Sequence, residues 1–206
     1  MNNKILPAAL GAALLSSLAL LSGCGPQQPE ANLQNLTAAM NAYLAKKGDL
    51  CLGKTRWPVD VPQREAGTRA RNALQMPVLE RLGLVSASKA KVEDEKDKEA
   101  GEIEVTRYAL TGEGKKYFLE REPQGDFCAA HLTLDKIVGW EARKDAKEPS
   151  EVVVTYTYRI DAAPWTGDTE VQKVFPMVDR VVRGAGTMQL KQNFRRTDTG
   201  WVPAEV

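Results

Sequence analysis

Residues Glu151 to Asp161 alternate with a period of two. Val152, Val154, Tyr156, Tyr158 and Ile160 fall on one face; Val153, Thr155, Thr157 and Arg159 fall on the other. That period belongs to an extended chain, whose successive side chains point to opposite faces. The β-branched and aromatic residues suit a pleated, half-buried surface. Leu132 to Ala142, with Leu134, Val138 and Trp140, is the expected hairpin partner across Arg143–Ser150. Met188, Leu190 and Phe194 alternate along another strand, and Asp198-Thr199-Gly200 turns into Trp201-Val202. A short helix within Trp165–Phe175, ended by Pro176, is expected between them. Residues 127–206 are therefore expected to form an antiparallel sheet with one covered face.

The first half reads differently. Leu33, Leu36, Met40, Tyr43 and Leu44 recur at helical spacing over residues 31–47, and Gly48 after Lys46-Lys47 is a stop signal with cations at the negative end of the dipole. Residues 49–62, with Pro58 and Pro62, read as a loop or short strand. A helix is expected over 63–75, and a further short one opened by Pro77 and stopped by Gly83. Leu84–Ser88 and Ile103–Leu110 look like two strands. The link between them, Lys89–Glu102, has 10 charged residues out of 14 and is expected to be an exposed, mobile hairpin tip. Thr111 is placed to cap a helix through Glu120.

Val78-Leu79-Glu80-Arg81-Leu82-Gly83-Leu84-Val85, the charged link, and Tyr108-Ala109-Leu110-Thr111-Gly112-Glu113-Gly114 together resemble a winged-helix segment over residues 62–120. The resemblance implies a helical winged-helix-like module at 31–122, ahead of the β-rich module at 127–206. The expected fold class is α+β in that order. A DNA-reading wing is basic, because phosphate neutralisation supplies most non-specific affinity. This one is mildly acidic, and Arg64, Arg69 and Arg71 sit in a neutral surrounding. No nucleic-acid binding is expected.

The N-terminus constrains location. Met1–Lys4 carries one positive charge. Ile5–Leu21 is a 17-residue stretch with 13 apolar residues and no charge, short for a membrane span and close to a signal-peptide core. Leu21-Ser22-Gly23-Cys24 follows and resembles the lipobox of bacterial (Gram-negative) lipoproteins. The resemblance implies cleavage of residues 1–23 and a lipid anchor of diacylglycerol and a further acyl chain on Cys24. Gly25, where those lipoproteins carry Asp for inner-membrane retention, implies the outer membrane. Residues 24–30 form a tether, and Gly25–Glu30 spans roughly 20 Å when extended.

Two cysteines remain, Cys51 and Cys128. An even pair in an oxidising compartment reads as a disulfide. Free thiols are an alternative, as is a metal site using Cys51, Cys128 and His131, since Cys128-x-x-His131 has a ligand spacing.

Catalytic motifs are scarce. Gly48–Thr55 satisfies the phosphate-loop pattern G-x-x-x-x-G-K-T, but a helix precedes it and Pro58 interrupts any helix after it, the reverse of what phosphate binding needs. After Cys24 the only serines are Ser86, Ser88 and Ser150, none in a nucleophile elbow. His131 is the sole histidine, so any Ser/His or Cys/His mechanism would have to use it. No enzyme activity and no cofactor are expected. The aromatics Trp140, Tyr156, Tyr158, Trp165, Phe175, Phe194 and Trp201 read as the core of the sheet or as a concave surface for a hydrophobic ligand or protein partner. Trp165, between Pro164 and Gly167, is the candidate exposed anchor. With 28 basic and 27 acidic residues the chain shows no charge bias toward a polyanion. The expectation is an outer-membrane lipoprotein, periplasmic or surface-facing, with a non-enzymatic binding or envelope-maintenance role. The alternative, a winged-helix nucleic-acid-binding protein, requires an unprocessed lipobox.

Overall fold

The computed structural model describes residues 30–94, 101–121, 123–142 and 150–204. In chain order these form α1 (Leu33–Lys47), β1 (Asp49–Cys51), β2 (Val59–Pro62), α2 (Arg71–Arg81), β3 (Val85–Glu93), β4 (Glu102–Leu110), α3 (Gly112–Lys115), β5 (Phe118–Leu119), β6 (Asp126–Ala142), β7 (Glu151–Ala162), α4 (Thr169–Val174), α5 (Pro176–Arg183), β8 (Leu190–Thr197) and β9 (Gly200–Pro203). Short 3-10 turns cover Gln63–Glu65 and Pro164–Gly167.

The alternating segment is β7, at the middle of a curled, half-barrel sheet of order β1-β6-β7-β8-β9, with β5 added beside β6. All its pairs are antiparallel. Val152, Val154, Tyr156 and Tyr158 face the concave side, where α1 lays Leu36, Met40 and Leu44 against them and against Leu132, Leu134 and Phe194. The Tyr158 hydroxyl donates to the Val181 carbonyl at 2.7 Å, so this buried ring keeps its polar atom satisfied. Gly48 ends α1 at a point of close approach. A Cβ there would lie 2.4 Å from the Leu132 carbonyl oxygen.

A second, three-stranded antiparallel sheet has order β2-β4-β3. Its apolar face joins α2, α4 and α5 around Phe127 and Trp165. Thr111 accepts from the Gly114 amide and caps α3 as expected, but α3 lasts four residues because Phe118 and Leu119 pair with β6. Gly114 is required here, since a Cβ would lie 1.9 Å from the Leu84 carbonyl oxygen.

The expected fold class is corrected. The protein is mostly antiparallel β, with 42% of the described residues in strands against 32% in helices, and no helical winged-helix module precedes the sheet. Three local causes explain this. The helix expected over 63–75 does not form; Gly67 adopts φ +72°, a left-handed conformation that breaks it after one 3-10 turn. Helix α2 instead runs 71–81 straight through Pro77 rather than restarting there. Helix α1 packs on β6 and β9 and forms no bundle with α2. Arg64, Arg69 and Arg71 therefore lie on a 3-10 turn, a loop and the start of α2, not on one helix.

The charged link is also shorter than expected. Strands β3 and β4 extend into it, pairing as far as Glu93 and Glu102. Asp94, expected on a solvated tip, is 4% exposed and held by the Arg64 guanidinium through contacts of 2.6 and 3.1 Å. Such a two-pronged pair compensates the desolvation of the carboxylate. The rest of the expected tip, 95–100, lies outside the described residues, as do 143–149 of the expected turn between β6 and β7.

Candidate functional site

The three residues of β1 meet β6 in the register Asp49↔His131, Leu50↔Ala130 and Cys51↔Cys128, with an irregularity between Leu50 and Cys51. This register places the two cysteines opposite one another, Cα–Cα 3.8 Å, and they are disulfide-bonded across 77 residues of chain. The metal alternative for Cys51, Cys128 and His131 is overturned, because both sulfurs are consumed by their own bond. Among the described residues no group of three or more His, Cys, Asp or Glu side chains is arranged to hold a metal ion.

The same register brings Asp49 to His131. The Asp49 carboxylate, 7% exposed, sits 2.7 Å from His131 Nδ1 through one oxygen and meets the Arg121 guanidinium through the other. A carboxylate at Nδ1 fixes that nitrogen as the donor and leaves Nε2 as the ring's acceptor when the imidazole is neutral. His131 borders a cleft of about 340 Å³ with Lys116, Tyr117, Asp161, Pro164 and Cys128. A second groove of about 410 Å³ lies against Cys51, between Leu50 and Leu52 on one side and Leu74, Phe175 and Met177 on the other, with Arg71 and Lys173 also lining it. The disulfide thus stands between two clefts, both lined mainly by apolar surface. Leu74 and Met177 are 45% and 64% exposed, which leaves the second groove open to solvent.

The phosphate-loop pattern is used internally. The Gly53 and Lys54 amides donate to the Asp126 carboxylate at 3.1 and 2.7 Å, so the N–H groups a phosphate would need already hold an anion. The Lys54 side chain is buried and its ammonium donates to Asn72 Oδ1 at 2.5 Å. Burial and the nearby Arg71 charge lower it to about 8, against the opposing pull of Asp126.

Trp165 is the second correction. Expected as an exposed anchor, it is 7% exposed. The 3-10 turn over Pro164–Gly167, pinned by the Ala163 amide on the Ala129 carbonyl at 2.8 Å, turns the indole inward. Its ring centroid lies 5.8 Å from Phe127, 6.0 Å from Tyr117 and 6.3 Å from Phe175. Its indole N–H is buried with no partner among the described residues. The exposed tryptophan is Trp140 instead, at 40%. The remaining aromatics of the second half are buried as expected, but in two cores rather than one: Tyr156, Tyr158, Phe194 and Trp201 under α1, Trp165 and Phe175 with Phe127.

Cys24 lies outside the described residues. Sequence reasoning missed Asp49, Arg121 and Asp126. Asp49 is visible only as an acid after a helix stop, and its partner emerges once the β1–β6 register is known. Comparison with protein-family models, with curated proteins and with solved structures finds no match to the chain.

Proposed function

We propose that the protein is an exported lipoprotein, held on the outer membrane through Cys24, whose folded part is a non-enzymatic binding or envelope-maintenance module. The observation that carries this reading is the Cys51–Cys128 disulfide. Disulfides persist in oxidising compartments and are rare where thiols are kept reduced. The bond thus supports export independently of the apolar segment and Leu21-Ser22-Gly23-Cys24. Gly25 in place of Asp favours the outer membrane. Several acyl chains on one cysteine anchor firmly, since each buried CH₂ adds about 0.8 kcal/mol. The binding role is supported by the two clefts that flank the disulfide, of about 340 and 410 Å³. Pockets of this size, with few polar groups on an apolar wall, suit small ligands or a partner's side chains.

Metabolic labelling with a tagged fatty acid tests the reading. The wild-type chain is expected to take up label and to fractionate with the outer membrane. The Cys24→Ala chain is expected to remain an unlabelled precursor. Equal labelling of the two, or label in neither, contradicts it.

A further inference from the structure

The sheet has one end at which the tether must leave the fold. The Glu30 carbonyl accepts from the Trp201 indole N–H at 3.3 Å and from the Asn35 side chain at 3.0 Å. Trp201 pairs with Arg196, whose amide donates to the Ser150 carbonyl at 2.9 Å. Glu30 therefore sits where β8 turns to β9 and where β7 begins. From this corner α1 runs diagonally across the concave face, from β9 to β6, where the Leu132 amide reaches the Gly48 carbonyl at 2.8 Å. Among the described residues, the diagonal leaves the other corner of the face, at the far end of β6, uncovered.

Trp140 marks that uncovered part, and two exposed apolar residues flank it, Val138 at the irregularity of β6 and Leu33 in the first turn of α1. Trp140 is paired with Val154, a core residue, and directly opposed residues share a face, so Trp140 lies on the concave side. Leu33 continues the buried stripe Leu36, Met40, Leu44 by one turn toward Glu30. Exposures are 57% for Leu33, 47% for Val138 and 40% for Trp140. Trp140 lies about 13 Å along the strands from Ser150, at about 3.3 Å per residue.

We propose that this open end of the half-barrel is a lipid-contact surface that seats the folded part on the bilayer carrying the anchor; the proposal rests on the acylation of Cys24. The tether from Cys24 to Glu30 spans roughly 20 Å at most, so the end of the sheet that holds Glu30 is kept within that distance of the membrane. Tryptophan favours the interfacial layer, where its ring is buried and its N–H stays wet. A peptide strand or a second copy adding to the free edge of β6 fits less well. Beyond the residues that β1 and β5 cover, β6 is irregular at Leu134/Lys136 and again at Ile137/Gly139. Such bulges interrupt the ladder that an added strand would need.

The test uses the full-length acylated chain, purified from membranes and reconstituted in phosphatidylethanolamine–phosphatidylglycerol vesicles containing lipids brominated near the top of the acyl chain. Acyl label on Cys24 is measured in the same sample. Tryptophan emission is expected to be quenched by the brominated lipid, and the quenched share is expected to fall to background in Trp140→Phe and in Val138→Asp. Label without quenching, or equal quenching in wild type and Trp140→Phe, overturns the surface and leaves the anchor standing. Chains crosslinked in pairs through Val138 and Trp140, without quenching, overturn it in favour of self-association. Absence of label overturns the anchor and this proposal together.

Discussion

The two cores of this protein are built in opposite ways. Under α1, long strands supply a single apolar face, and its most deeply buried polar group, the Tyr158 hydroxyl, is answered by the Val181 carbonyl at 2.7 Å. Around Phe127 and Trp165, the core is assembled from many separate pieces, α2, α4, α5, the β2-β4-β3 sheet, the start of β6 and a 3-10 turn, several of them only four to six residues long, and among the described residues two polar atoms, Gln75 Oε1 and Trp165 Nε1, are buried without partners. Each such atom costs about 1–3 kcal/mol. The second core relies on cross-links between distant segments: the disulfide, Arg64–Asp94 and Arg107–Asp60. A sheet with its own period holds itself together. A junction of short pieces depends on what ties the pieces.

The sharpest way to break this contrast is to remove the tie. Closing a loop of 77 residues is worth up to about 4.5 kcal/mol in the chain-entropy account. Cys51→Ser with Cys128→Ser is expected to lose much of that in chemical denaturation. Hydrogen exchange in the same variant is expected to accelerate in α2, α4 and β2 before β7. Uniform acceleration through β7 would erase the distinction.

A matched pair of cavities comes next. Met40 in α1 and Met76 in α2 are both fully buried, one in each core. Each truncation to Ala is expected to cost about 2–5 kcal/mol. Met40→Ala is expected to lower global stability and expose both cores together, because α1 covers the sheet on which the rest is built. Met76→Ala is expected to open the Phe127–Trp165 core at lower denaturant than the sheet, read by separate probes. Coincident transitions in Met76→Ala would contradict this.

The pH profile gives a smaller effect, with Lys54 at the second core's edge and Tyr156 under α1 acting in opposite directions. The Lys54 ammonium titrates at about 8 in the fold and at 10.5 when unfolded. Between those values the unfolded chain holds more protons, so stability rises with pH, by up to about 3 kcal/mol. Higher up, Tyr156 acts in the other direction. Burial holds its hydroxyl up to about 12, from 10.0, so its contribution is intact below pH 10 and is lost as pH rises toward 12. Melting curves across the 8–10.5 window are expected to rise in wild type and to flatten in Lys54→Met. A rise of equal size in the variant would show that Lys54 does not cause it.

Smallest is the cap. Thr111 accepts from the Gly114 amide and donates toward the Gly83 and Leu84 carbonyls, at 2.7 and 3.1 Å. Thr111→Ala is expected to cost about 1 kcal/mol, measured by denaturation, with both cores affected little.

The difference between the cores also explains what could be read from the residues alone. A period of two marks a strand wherever it occurs, and Glu151–Asp161 needed no partner to be recognised. The turn at Asp198-Thr199-Gly200 and the cap at Thr111 are equally local. The helix expected over 63–75 failed because its apolar spacing is local while its break at Gly67 depends on a backbone conformation that spacing does not report. Trp165 was misplaced for the converse reason. A Pro–Trp–Thr–Gly segment looks like an exposed turn, and only the docking of that turn on β6 sends the indole inward. At the site, the cysteine pair was legible from compartment logic. Asp49 with His131, and Asp126 under the Gly53–Lys54 amides, were not, since each joins residues more than seventy positions apart through strand register.

A thiol count on the mature protein from its own membrane tests the account most directly. The chain has 3 cysteines. The account predicts no free thiol in the denatured, unreduced protein and two after reduction, because Cys24 stays blocked by its lipid while Cys51 and Cys128 are released. Three thiols after reduction would contradict the anchor, and two before reduction would contradict the disulfide on which the second core relies.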